Sequence, residues 1–197
     1  MATGNTVGSQ LREIIIGTLL GDGFLEQNGR YKRFVCAHSA KQEEYIKWKF
    51  NLINQITQCR LFYSGRRDPR NGKIYSSYSL RSISSPLWDE FYTLFYESKY
   101  RIIPKNLPDI ISAQMLAIWI MDDGYRRSDC NALRLNTQGY SYNDHQVIKK
   151  SLKKLGIEST IHRQTKYFVT YIPSASMDLL RSTVTPYVIP SMTYKLA

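Results

Sequence analysis

Two stretches constrain this chain more than anything else in it. "IIIGTLLGDGF", Ile14 to Phe24, and "LAIWIMDDGYRR", Leu116 to Arg127, each read as an apolar helix that stops on an aspartate followed by glycine. Superposing the two puts Asp22 on Asp123 and Gly23 on Gly124. Each helix also carries small residues one turn apart, Gly17 with Gly21 and Ala113 with Ala117, spaced to line up on one face and let backbones approach. Two such helices can pack side by side and bring their acidic ends together.

The segments beyond each helix repeat as well. "RYKRFVCAHS" alternates as a half-buried strand does, and "KQEEYIKWKFNLINQI" has helical spacing. "CRLFYSGRRDPRNGKIYSSYSLRS" reads as two strands joined by a long basic loop, Arg66 to Lys73, with Pro69 and Asn71-Gly72 as turn chemistry. "PLWDEFYTLFYE" closes the set as an amphipathic helix opened by Pro86. In the second copy "CNALRLNTQ" is the strand, "YNDHQVIKKSLKKLGI" the helix, "STIHRQTKYFVTYI" a tighter hairpin and "SMDLLRSTVTPYV" the last helix. The fold class expected is α/β (α+β): duplicated αββαββα halves with antiparallel sheets. The halves are read as 1–103 and 104–197, with motifs at 15–23 and 116–124 and the junction marked by Pro104 and Pro108.

Charge narrows the function. Lys plus Arg number 27 against 16 Asp plus Glu, a net +11, and a surface this basic attracts polyanions, nucleic acid first. No apolar run approaches the roughly 18 residues a membrane span needs, so the chain is expected to be soluble and without a membrane partner. Cys36, Cys59 and Cys130 fit neither a disulfide framework nor zinc spacing, which points to a reducing compartment. No targeting segment is read in "MATGNTVGSQ". The location itself is left open, a bacterial cytoplasm and an organelle that encodes the chain both being reducing compartments that fit.

Against that background the two aspartates are costly. A helix C-terminus carries partial negative charge, and a carboxylate there is disfavoured by roughly 0.3–1 kcal/mol. Two that meet also repel. A hard divalent cation with oxygen ligands, Mg²⁺ above all, would compensate both, and carboxylates that hold such an ion against a phosphate are the core of metal-dependent phosphodiester hydrolysis. A lone Asp-Gly is usually a turn. Two of them, ending the most apolar helices of a basic chain, favour the metal reading.

The paired motifs "IIGTLLGDG" and "LAIWIMDDG" resemble the signature of the LAGLIDADG homing endonucleases in their single-chain, two-motif form. "LRLNTQGYSYNDHQVIKKSLKKLGI" and "TPYVIPSMTYKL" are similar to the corresponding segments of intron-encoded members. The resemblance implies a pseudo-twofold monomer whose two sheets form a saddle over DNA. Its implied activity is a staggered double-strand break with a short 3′ overhang in a long duplex site. It implies that Asp22 and Asp123 bind the catalytic metal, assisted by the carbonyls of Gly21 and Asp122. Mg²⁺ is the cofactor, with Mn²⁺ or Ca²⁺ able to replace it for binding. Lys195, and in the first copy Arg101, would stand beside the scissile phosphates. Gln138 and its counterpart His38 would help hold the attacking water. The DNA-facing set is Arg30, Lys32, Arg33, Arg66, Arg67, Arg70, Lys73, Arg81, Arg126, Arg127, Arg134, Arg163 and Lys166. Gly21 opposite Asp122, and the bulk of Ile118 and Trp119, depart from the family pattern and imply unequal halves. The family also contains maturases, which assist splicing of their own intron RNA, and the same fold could serve a nuclease-inactive DNA-binding regulator.

Overall fold

A computed structural model describes residues 7–197; residues 1–6 of the segment read for targeting signals lie outside the described residues. Contacts divide the chain after Thr93, and the second compact unit is Leu94–Ala197. The first unit contains α1 (Ser9–Leu20), β1 (Phe24–Asn28), β2 (Tyr31–Ser39), α2 (Glu43–Ile53), β3 (Cys59–Arg67) and β4 (Ile74–Ser82). A 3-10 turn at Pro86–Trp88 then leads into α3 (Asp89–Phe95), which crosses the division. Its antiparallel sheet has the order β1-β2-β4-β3.

Burial explains the helix positions. The α1 run Ile14 to Leu20 is buried throughout, and each fully buried large aliphatic side chain contributes about 1.5–3 kcal/mol. Helices α2 and α3 cover one face of the sheet. Phe34 of β2 stacks on Trp88 with ring centroids 5.4 Å apart, and His38 packs on Tyr45 of α2 at 4.8 Å. Side chains alternate along a strand, so the even-numbered residues of β2 face the helices. The odd-numbered ones face away.

The second unit repeats the plan. After a small hairpin, β5 (Tyr96–Glu97) and β6 (Tyr100–Arg101), and a short α4 (Leu107–Ile110), come α5 (Ala113–Asp123), β7 (Gly124–Arg126), β8 (Leu133–Leu135) and α6 (Tyr142–Lys154). The chain continues through β9 (Thr160–Gln164), β10 (Tyr167–Ile172) and α7 (Ser174–Val184) to a 3-10 tail, Pro190–Lys195. The sheet order β7-β8-β10-β9 reproduces that of the first unit. Ser112 caps α5 by accepting from the Met115 N–H at 3.2 Å, and Ser141 with Asp144 forms a capping box on α6. Among the described residues no helix is long and apolar enough to cross a membrane.

Several elements depart from the sequence reading: β1 and β7 follow the motifs directly, and α4 lies at the expected junction. The β5–β6 hairpin is also absent from that reading. This hairpin packs within the second unit, where Ile102 N–H donates to Phe95 O and Ile103 N–H to Asp144 Oδ1 at 3.3 Å. The strand expected over 130–138 shrinks to Leu133–Leu135, because Thr137 leaves the ladder. Its hydroxyl, rather than a carbonyl, accepts the Thr170 N–H at 3.1 Å.

Candidate active site and nucleic-acid interface

The two acidic helix ends are built differently. In the first, Gly21 takes φ −100° and ψ −122°, so α1 stops at Leu20 and Asp22 stands beyond the helix. The expectation of Asp22 as a helical residue is corrected here, and the glycine that replaces Asp122 is the reason, since glycine is a poor helix former. In the second copy α5 continues through Asp123. Neither following glycine is a left-handed cap. Gly23 N–H donates to Thr18 O at 2.7 Å, and a Cβ on Gly23 would stand 2.8 Å from that oxygen. On Gly124 it would stand 2.5 Å from Ile120 O. Both glycines let the chain turn tightly over its own helix end.

Around Asp22 the first unit arranges a buried polar row. His38 Nδ1 lies 3.3 Å from Asp22 Oδ2, the histidine side chain being 1% exposed and the carboxylate 39%. Behind it, His38 Nε2 is 3.2 Å from Lys49 Nζ. Lys49 is fully buried, and its ammonium sits over the Tyr45 ring, 4.3 Å from the centroid. Sequence reading passes over Lys49, because its alternation with Lys47 reads as the polar side of an amphipathic helix.

Around Asp123 the partners are others. Trp119, one turn earlier on α5, donates its indole N–H to Asp123 Oδ2 at 3.3 Å. Asn136 N–H donates to Asp123 O at 3.0 Å. Lys195 donates from Nζ to Asp122 O at 3.1 Å and Gly124 O at 2.9 Å, so an ammonium meets the negative end of α5. The tail is fastened by buried Met192 and by Arg181, whose Nε donates to Leu196 O at 3.0 Å. Arg101 lies over the Tyr140 ring, 5.7 Å from its centroid, inside the second unit. Burial pushes the Tyr140 hydroxyl up to about 12, the Arg101 charge opposing and that of Asp123 adding to the shift.

Register changes one pairing of residues. Phe24 pairs with Val35 and its counterpart Tyr125 with Arg134, so three residues further along each strand His38 matches Thr137, not Gln138. Thr137 is buried and bonded to His145 Nε2 at 2.9 Å, while His145 Nδ1 donates to Ser141 O at 2.8 Å. Gln138, the next residue, is half-buried.

The same alternation sorts the cations. Arg81 pairs with Val35 and with Arg60, on the face of the first sheet opposite α2 and α3. Arg33, Arg60, Phe62 and Arg81 line one concavity there of about 340 Å³, and Arg66 pairs with Tyr75 further along the same face. Arg60 is not in the expected set; its register opposite Arg81 identifies it. Lys32 points the other way, to Asp89 at 3.1 Å and the Tyr92 ring, which removes it from the DNA-facing set. At the hairpin tip Arg70 grips Asp68, Nη2 to Oδ2 at 2.9 Å, Arg67 Nε donates to Gly72 O, and Lys73 is exposed. Arg30 sits by the Tyr31 ring.

In the second unit Tyr125, Arg134 and Tyr171 form one row across the sheet, and Arg134 Nε is buried without a hydrogen-bond partner. His162 stacks on Tyr171 at 4.5 Å and joins that face. Arg163 pairs instead with Phe168, which packs on Tyr142 of α6, and its Nε donates to Thr165 O. Arg163 therefore leaves the set. Lys166 lies over Tyr167, Arg126 is exposed, and Arg127 is paired with Asp129 through Nε at 2.8 Å, which lowers the Asp129 carboxyl to about 2.

Comparison with known proteins bears on this arrangement. Residues 12–180 match the LAGLIDADG DNA endonuclease family. The chain is 32% identical to the cytochrome b mRNA maturase bI2 of Saccharomyces cerevisiae, over 93% of this chain but only 46% of that protein, so it spans less than half of this relative. With the DNA endonuclease I-ChuI of Chlamydomonas applanata it is 25% identical, over 95% of this chain and 94% of the other. Among solved structures, the homing endonuclease I-WcaI bound to its DNA recognition sequence superposes with a TM-score of 0.87 at 25% identity, covering 98% of this chain and 88% of that one.

Proposed function

Because the chain belongs to the LAGLIDADG DNA endonuclease family, we propose that it is a site-specific homing endonuclease making a metal-dependent staggered double-strand break in a long DNA duplex. It acts as a monomer, since one chain carries both motifs. The observation that carries the reading is that each motif keeps its aspartate and holds it with a buried donor, His38 for Asp22 and Trp119 for Asp123.

These donor sets are hard oxygens, which suit Mg²⁺. Asp22 with the Gly21 carbonyl, and Asp123, would hold it; the Asp122 carbonyl would join only once the Lys195 ammonium that it now accepts from turns away. Held there, the ion would supply activation of water and compensation of charge on the leaving 3′ oxygen. The chain's own residues do the rest. His38 and Trp119 each fix one carboxylate oxygen and so aim the other. Lys195 keeps a positive charge at the end of α5, where charge builds on a scissile phosphate. Arg33, Arg60, Arg66, Arg81 and Arg134 supply contacts to phosphates and to guanine edges.

A second reading, an RNA maturase, is favoured by the identity to the yeast cytochrome b maturase. Incubating the protein with the intronless junction of its host gene and with the intron RNA, each with and without Mg²⁺, separates the two. We expect cleavage of the duplex that needs Mg²⁺ and is abolished by Asp22→Asn or Asp123→Asn. DNA affinity should stay within about tenfold, because contacts elsewhere supply the binding. Splicing of the RNA with an intact duplex would establish the maturase instead, and tight duplex binding without cutting a regulator.

A further inference from the structure

We propose that Lys49 is a positioning residue of the first active centre, acting through His38 to set the hydrogen bond that orients Asp22; this rests on the endonuclease reading above. Lys49 is the only lysine or arginine among the described residues that is buried. An ammonium taken from water is costly unless it is paired, so its place beside a histidine that touches a motif aspartate needs a reason.

Donor and acceptor chemistry supplies one. Lysine carries three N–H donors and no acceptor, so at 3.2 Å from Lys49 Nζ the His38 Nε2 must present its lone pair. The ring proton then resides on Nδ1, 3.3 Å from Asp22 Oδ2. With its Nε2 lone pair turned to the ammonium, the ring directs Nδ1–H at the carboxylate. Tyr45 completes the arrangement by holding the ammonium over its ring. His38 is thereby an orienting donor to Asp22, with no lone pair on the nitrogen that faces it.

The second unit lacks this device. At the position matching His38, Thr137 bonds to His145, whose other nitrogen is committed to the Ser141 carbonyl, and Asp123 takes its donor from Trp119. A lesion at Lys49 should therefore act on one strand. Loss of a partner that orients a ligand typically costs about 10- to 100-fold in activity.

Two measurements test this. The first is the ring nitrogen spectrum of the full-length, metal-free protein with ¹⁵N-labelled histidine, the His38 signal being identified through His38→Gln. We expect the Nδ1–H tautomer in wild type, and its loss in Lys49→Met, which keeps the buried volume but not the donor. An Nε2–H ring or an imidazolium in wild type overturns the proposal whether or not the variant folds. The second is strand-resolved nicking of the target duplex. Lys49→Met should slow one strand about 10- to 100-fold while the other is cut near the wild-type rate. Equal slowing of both strands, or none, overturns it. The spectrum needs neither DNA nor cleavage, so a protein that fails to cut would refute the endonuclease reading without deciding the tautomer.

Discussion

At the scale of single residues, the two aspartates are ordinary and their partners are not. Trp119 stands out in the sequence only as a side chain too bulky for its place. In the structure it is fully buried and its indole N–H holds Asp123. Trp119→Phe keeps most of the apolar area and removes the donor. It should slow cutting by about tenfold, the low end for a lost orienting contact, at a modest cost in stability; wild-type rates would show that Asp123 needs no such support. Lys195→Ala removes the ammonium at the end of α5 and should slow cutting by roughly 10²-fold, the scale of one lost electrostatic contact to a transition state. Binding should hardly change, because one phosphate contact among many is a small share of the total. Unchanged cutting would make the tail purely structural. His38 and Lys195 are both singled out by resemblance, and each lies against its motif. Lys49 could not be found that way, since its histidine partner is 11 residues away on another element; helical spacing does set it on the stripe of Tyr45, Ile46 and Ile53, but not beside a named partner.

Elements account for which basic residues can reach a groove. Strand parity, fixed by the pairing of β2, β3 and β4, puts Arg60, Arg66 and Arg81 on one face and turns Lys32 toward α3. Composition cannot supply parity, because shifting register by one residue exchanges the faces. The β3–β4 hairpin tests this reading. Arg66→Ala should weaken binding to the target duplex and flatten its salt dependence by about one unit of log–log slope. Arg70→Ala should do less, because Asp68 already neutralises that guanidinium; equal effects would contradict the assignment. The helix ends make a second prediction at this scale. Gly124→Ala would push a Cβ to 2.5 Å from Ile120 O. Relieving such a clash should lower stability by about 1–3 kcal/mol, read from the denaturant midpoint. An unshifted midpoint would mean that the turn after α5 tolerates a side chain.

For the molecule as a whole, the excess of +11 sets how binding responds to salt. With Arg60, Arg66, Arg81 and Arg134 on or beside the free sheet faces, and Arg33 already paired with Glu26, the affinity for duplex should fall with a log–log slope of roughly −4, at about −0.9 per neutralised phosphate. A slope near zero would rule out the electrostatic face. Duplication was legible from the amino-acid sequence because hydrophobic periodicity, turn residues and the two Asp-Gly motifs are local signals, and each half repeats them in one order. Their consequence, two four-stranded sheets of identical strand order, comes from the same local information. Tertiary structure alone decided which donor meets which carboxylate: Lys49 through His38 on one side, Trp119 on the other, with Lys195 at the end of α5. Those contacts join residues from separate elements, or depend on the side chain a turn of helix presents after packing. Trp119 and Asp123 are within helical reach in one short stretch, but the contacts of Lys49 and Lys195 are set by register and burial, which no short stretch of sequence contains.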